Sequence, residues 1–165
     1  MRRGEWMRIL VVSDTHGRES GFYEVLEREK DLDAVIHCGD SVGGAARMEE
    51  KSPCPFYTVA GNCDFGLPHP LEQELEIGGK RIWVTHGHMF GVNFGIDTLL
   101  AEAQDFGYDV VLYGHTHRPQ ILSFGGITVV NPGSLTQPRQ EDRKPTYAML
   151  WLNGDGSVNA EIRYL

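Results

Sequence analysis

The sequence predicts an α/β fold in which two sheets pack together, with antiparallel edges and helices on the outside. Short apolar runs alternate with amphipathic helical segments through the first half of the chain. Hairpin signals crowd the second half, at Gly78-Gly79, at Gly125-Gly126 and at "NGDG". No linker, repeat or low-complexity tract divides the 165 residues, so residues 1–165 read as one domain, with residues 1–6 as an N-terminal extension ahead of Met7.

Taken in order, "RILVV" (8–12) is a buried strand that stops at the turn-prone "SDTHG". "ESGFYEVLEREK" spaces Phe22, Val25, Leu26 and Glu29 as one face of a helix. "DAVIHCGD" is a second strand, "GAARMEEK" a short helix, and "FYTVAGNCD" a third strand. "LEQELEIGGKRIWVTHGH" makes the first hairpin, and "GIDTLLAEAQDFG" a helix stopped by Gly107. "DVVLYGHTH" is again a buried strand, followed by the hairpins "QILSFGGITVVNPGS" and "TYAMLWLNGDGSVNAEIRYL".

The formal net charge of -8 argues against constitutive binding to a nucleic-acid backbone, which needs a cationic excess to displace counterions. Three cysteines without a framework spacing favour a reducing compartment. The N-terminal apolar run is shorter than the roughly 7–15 residues of a secretory core, and no run approaches the roughly 20 residues of a membrane span. A cytoplasmic protein that does not enter the membrane is therefore expected. Nothing in the composition decides for or against a homo-oligomer.

Nearly every buried strand ends in a residue able to hold a metal ion: Asp14 and His16, Asp40, Asn62, His86, then His115 and His117. Each has an ordinary reading by itself. Asp14 and Asp40 suit helix or turn caps, Asn62 suits a turn, and an isolated His-x-His pair suits a polar loop. Their joint placement favours a site, because α/β sheets bind ligands at the carboxyl ends of their strands. Imidazoles with carboxylate and amide oxygens suit Mn²⁺, Fe²⁺, Zn²⁺, Ni²⁺ or Co²⁺, and this many ligands suit two ions with a bridging carboxylate. His37 is expected to donate to backbone at a strand end, and His69 to be an exposed loop residue. Arg18 and Arg139 read as solvated, and Trp83, Phe90 and Phe94 as core residues.

In order, the blocks are "SDTHG" (13–17), "HCGDS" (37–41), "GNCD" (61–64), "THGH" (85–88) and "GHTH" (114–117), followed by "NPGS" (131–134). This series resembles the calcineurin-like metallophosphoesterase family, in its compact phosphodiesterase subgroup with a minimal cap. The resemblance implies a four-layer αββα fold, a two-sheet β-sandwich flanked by helices. It also implies two divalent ions, Mn²⁺ foremost. Asp14, His16 and His117 would hold one ion and Asn62, His86 and His115 the other, with Asp40 bridging. A small phosphoester, most naturally a diester, would be hydrolysed by a metal-bridging hydroxide.

Most of the family carries a histidine where this chain has Cys63. The resemblance therefore gives Asn62 a second role on the phosphoryl group, leaves Asp64 to orient its neighbours, and makes His88 the candidate substitute acid. Cys63, close to cations, becomes a candidate thiolate. The alternatives are a phosphomonoesterase of the same fold and a largely non-catalytic protein-binding scaffold, in which ligand positions should drift. A metallo-β-lactamase-type hydrolase would need an H-x-H-x-D-H run that "HTHRPQ" does not supply.

Overall fold

The computed structural model describes residues 6–165, and the expected N-terminal extension lies outside the described residues except for Trp6. Trp6 opens the first strand, opposite Asn153. The elements run β1 (Trp6–Val12), α1 (Ser20–Arg28), β2 (Ala34–His37), α2 (Ala45–Lys51), β3 (Phe56–Thr58), β4 (Glu72–Ile77) and β5 (Lys80–Thr85). After these come α3 (Asp97–Phe106), β6 (Val110–Leu112), β7 (Pro119–Phe124), β8 (Ile127–Pro132), β9 (Thr146–Asn153) and β10 (Val158–Tyr164). They form two five-stranded sheets, ordered β10-β9-β1-β2-β3 and β4-β5-β6-β8-β7.

Strands β1, β2 and β3 are mutually parallel, as are β5, β6 and β8, while the three hairpins supply antiparallel partners. The strand period explains the layering. Ile9 and Val11 of β1 point between the sheets, where they meet Ile82, Val84, Val110 and Leu112. Their neighbours Leu10 and Val12 point the other way, onto Phe22 and Val25 of α1 and Met48 of α2. On the far sheet, Trp83, Val111 and Val129 pack against Leu99 and Ala103 of α3. Helices thus cover both outer faces, which is why the central strands are apolar throughout rather than alternating. Gly78-Gly79 and Gly125-Gly126 all have positive φ, as two-residue hairpins of this hand require.

Two short 3₁₀ turns, His88–Phe90 and Val92–Phe94, have no counterpart in the sequence pattern. The glycines around them, Gly87 and Gly91, take left-handed conformations that carry the chain away from β5. Phe90 is drawn onto the core, edge-on to Trp83 at 5.2 Å. Phe94 departs from expectation: it is 97% exposed, while Val92 of the same turn is the residue that packs inward.

Glu29 lies at the buried end of α1, but as an ion rather than as part of an apolar face. Only 5% of it is exposed, and its carboxylate meets Arg8, Arg163 (2.7 and 2.9 Å) and the Tyr147 hydroxyl (2.7 Å). Burial would raise its pKa, but Arg163 and Tyr147 outweigh burial and lower it. This carboxylate therefore adds stability above its unfolded pKa of about 4.3, and that stability is lost as pH falls through the lower folded value. Glu29→Ala is expected to cost about 3 kcal/mol in urea unfolding near neutral pH, with the difference shrinking in acid. A pH-independent difference would mean that packing, not charge, is what Glu29 contributes.

Candidate metal centre

The parallel strands deliver their following loops to one edge of the sandwich, where the two sheets meet. There the backbone adopts conformations that side chains with a Cβ rarely take. Asp14, His16, Asp40, His115 and His117 all have φ between +47° and +70°. Such residues are strained unless the surroundings hold them, and they concentrate at functional sites. Here the loops hold one another: Asp14 N donates to Gly39 O (3.0 Å), His16 N to Asp40 O (2.9 Å) and Gly114 N to His86 O (3.0 Å).

Two buried carboxylates lie at the centre, each with one oxygen satisfied and the other presented. Asp14 Oδ2 accepts from the Ser13 hydroxyl (2.6 Å) and the His115 backbone N–H (3.1 Å). Its Oδ1 has no hydrogen-bond partner and faces Nε2 of His117 (3.1 Å), His86 (3.7 Å) and His16 (3.8 Å). Asp40 Oδ1 accepts from Cys63 N–H (2.8 Å), and its Oδ2 faces Nε2 of His86 (3.2 Å) and His16 (3.8 Å). Burial opposes both charges, yet the adjacent histidines hold both carboxyls below the usual carboxylate range.

The imidazoles are oriented from behind. His86 Nδ1–H donates to Cys38 O (2.7 Å) and His117 Nδ1–H to Gln137 O (2.7 Å). With the proton on Nδ1, each Nε2 turns a lone pair toward a carboxylate oxygen. His16 and His117 bring their Nε2 atoms within 3.3 Å. Acceptors facing acceptors at these distances repel unless a cation or proton lies between them, and His86 Nε2 is buried without a hydrogen-bond partner. Accordingly the two carboxylates outweigh burial and raise the His86 pKa. The donor set fits divalent ions: Asp14, His16 and His117 can converge on one point, and Asp14, Asp40 and His86 on another.

The remaining candidates are arranged around this centre. His115 lies beside His86, ring centroids 5.1 Å apart, with Nδ1 at 3.0 Å from Asn62 Oδ1 and Nε2 at 3.0 Å from Asn93 Nδ2. His115 and Asn62 thus face each other on the His86 side, whereas His117 lies on the His16 side. Asp64 accepts from three backbone N–H groups, those of Asp40 (2.7 Å), Val42 (2.8 Å) and Gly61 (2.8 Å). It organises two ligand loops and has no free face toward a substrate. Cys63 is exposed; the partial burial of its thiol and the charges of Asp40, Asp64 and Asp14 push its pKa up, and bound cations would oppose that shift. His88 is half-buried, its ring 5.4 Å from that of His86, and burial followed by the His86 charge lowers its pKa. That direction disfavours an imidazolium acid.

His37 reverses its expected role. Its Nδ1 accepts from Gly39 N–H (3.1 Å), so Nε2–H donates to the Thr15 hydroxyl (2.9 Å), and burial pushes its pKa down to about 4. His69 is half-buried rather than exposed. Arg18 and Arg139 are exposed, as expected.

Several supporting residues escaped sequence reasoning. Asn131 donates to Gly114 O (3.0 Å) and to the Thr116 hydroxyl (3.0 Å), and Ser134 and Thr136 donate to Asp14 O at 2.7 and 3.1 Å. The signal was present in "NPGS", though without roles. Asn93, in "GVNFG", carried no signal.

A two-sheet α/β sandwich with imidazoles and carboxylates converging at its strand ends defines a metal-dependent hydrolase. The family model of the calcineurin-like phosphoesterase superfamily domain matches residues 7–155. YsnB of Bacillus subtilis, a probable metallophosphoesterase, is 36% identical over 155 residues, covering 92% of this chain and 88% of its own. The Escherichia coli phosphodiesterase YfcE is 30% identical over 158 residues, covering 81% and 82%. The crystal structure of a predicted phosphoesterase from Streptococcus pneumoniae superposes with a TM-score of 0.79 at 32% identity, covering 97% and 98%. The chain belongs to the calcineurin-like phosphoesterase superfamily and is a metal-dependent phosphoester hydrolase.

Proposed function

We propose that the chain is a phosphodiesterase that works with two divalent ions, Mn²⁺ foremost. Asp14, His16 and His117 hold one ion and Asn62, His86 and His115 the other, with Asp40 shared between them. The observation that carries this reading is the pair of buried, unpartnered atoms Asp14 Oδ1 and His86 Nε2, which face each other at 3.7 Å. Bound divalent ions supply charge that neutralises phosphoryl oxygens and lowers the pKa of water toward neutrality.

The protein's own groups do the rest. Asp64 and the Cys63 N–H fix the position of Asp40, and Cys38 O and Gln137 O fix the two imidazoles. Asn62 is exposed, so its amide can also donate to a phosphoryl oxygen. Burial lowers the His88 pKa, which disfavours His88 as a strong acid for the leaving group. Aryl and other good leaving groups are therefore favoured over alkyl ones. The phosphodiesterase activity in the name of YfcE supports diesters as the substrate class.

We read residues 1–165 as one cytoplasmic domain. Free Cys38, Cys54 and Cys63 support this, and no helix among the described residues is long and apolar enough to cross a membrane.

The test is hydrolysis of an aryl phosphodiester and an aryl phosphomonoester by chelator-stripped protein, with Mn²⁺, Ni²⁺, Fe²⁺, Zn²⁺ and Co²⁺ restored one at a time. Diester turnover is expected to exceed monoester turnover and to depend on added metal. Because the His86 pKa is raised, protons compete for Nε2 from above the ordinary histidine pKa of about 6.5. Metal affinity should therefore decline as pH falls through that region. Absence of turnover with every metal would favour a non-catalytic scaffold.

A further inference from the structure

The arginines divide by location. Arg8, Arg28, Arg47, Arg81 and Arg163 each pair with a carboxylate. Arg18, Arg118, Arg139 and Arg143 form no ion pair among the described residues, although the chain carries 23 acidic residues against 15 basic ones. Three of the unpaired arginines, Arg18, Arg118 and Arg139, adjoin loops that carry candidate metal ligands. Arg18 follows the "DTHG" loop. Arg118 follows His117 directly, and Arg139 N donates to His117 O (3.0 Å).

Three of these four, Arg118, Arg139 and Arg143, line a single groove of about 1120 Å³. None of the candidate metal ligands lines it, but two lining residues neighbour them. Thr116, between the two histidines of the "HTH" block, lines it, and so does Asn93, whose amide contacts His115. Val92, Ile96 and Pro119 give it an apolar wall. Glu141 is the one carboxylate in the lining, and it forms no ion pair with the arginines.

We infer that this groove binds a second phosphate of the substrate, so that the preferred substrate is a small phosphoester with a further phosphate beyond the one hydrolysed. Guanidinium groups match phosphate oxygens bidentately, and three arginines that line one groove without protein carboxylate partners are available for such an anion. The volume suits a ligand of nucleotide size, and the apolar wall suits the carbon part that joins the two phosphates. A polynucleotide fits less well. Tracking its backbone takes about 6–10 phosphate contacts, whereas three arginines and an acidic remainder provide few.

The inference rests on the phosphoesterase reading for the metal end, and the two can fail separately. The probes are alkyl monophosphonates and α,ω-bisphosphonates of matched chain length, tested by calorimetry and as competitors of aryl-diester hydrolysis by the metal-loaded protein. A bisphosphonate of suitable length is expected to bind about tenfold or more tighter than its monophosphonate. Arg118→Ala, Arg139→Ala and Arg143→Ala should each narrow that gap.

If the monophosphonate binds and the bisphosphonate binds no better, the groove inference is wrong while the metal-centre reading stands. If neither binds and no diester turns over, the metal-centre reading fails first. Equal weakening of both probes in the alanine variants would assign the arginines to the metal-centre phosphate and overturn the second site. Tighter competition by a single-stranded oligonucleotide than by every bisphosphonate would overturn the small-molecule assignment.

Discussion

Asp40→Asn is expected to lower metal-dependent phosphodiester hydrolysis by about a thousandfold or more while leaving the fold in place. The geometry separates the two effects. Asp40 Oδ1 accepts from Cys63 N–H at 2.8 Å, and an asparagine oxygen can keep that bond. The other oxygen lies 3.2 Å from His86 Nε2 and 3.8 Å from His16 Nε2, where an amide NH₂ would donate to the imidazoles. The variant thus replaces a negative acceptor shared by two ligand groups with a neutral donor, at nearly constant volume.

Bound metal counted by elemental analysis should fall with activity, while the chelator-stripped protein should stay folded with a modestly lower thermal midpoint, because the ionised Asp40 is the form that the neighbouring histidines favour. His86→Ala should be as inactive but less stable, since it empties a fully buried site and leaves Cys38 O without its donor. Retention of most activity in either variant would refute the shared-ligand arrangement.

Gly114→Ala should be nearly as damaging, for a steric reason. A Cβ at this position would sit 2.1 Å from Ser13 Oγ and 2.8 Å from Asp14 Oδ2. The residue does not need glycine for its backbone angles, because its φ is not positive. What it requires is the close approach of the "GHTH" loop to the "SDTH" loop. Ser13 cannot swing away without cost, since it is buried and bonded to Asp14 Oδ2 at 2.6 Å.

The added methyl must therefore displace Asp14 itself, at about 1–3 kcal/mol in stability and about a hundredfold or more in activity. Ser13→Ala in the Gly114→Ala background removes the nearest clash and should restore part of both. Full activity in Gly114→Ala alone would show that the two loops have more freedom than their hydrogen bonds imply. Gly61 makes the same demand from the other carboxylate, with a Cβ reaching within 2.1 Å of Asp40 Oδ1.

Much of the candidate site was legible because its candidate ligands follow short buried strands, and a strand's end can be read from where its apolar run stops. The blocks around Asp14, Asp40, Asn62, His86 and His115 all follow that rule, and parallel pairing then brings them to one edge. Helical spacing put Glu29 on the buried face of α1, as found, but could not say what it meets there. Its partners Arg8, Tyr147 and Arg163 come from three other segments. For Cys63 the sequence shows only its place beside Asn62, while the fold adds the carboxylates of Asp40 and Asp64 around it. The 3₁₀ turns at 88–94 were missed because such turns are too short to show a period.

The sequence by itself determined the layered α/β plan and the residues able to hold metal, because strand period, glycine placement and donor chemistry are local properties. The tertiary structure decided which oxygen of each carboxylate is left open and which nitrogen of each imidazole faces inward. It also decided that five candidate ligands adopt left-handed backbone, and that Arg118, Arg139 and Arg143 share one groove. Each of these depends on hydrogen bonds or contacts between segments far apart in the chain, and such pairings exist only once the two sheets have closed on each other.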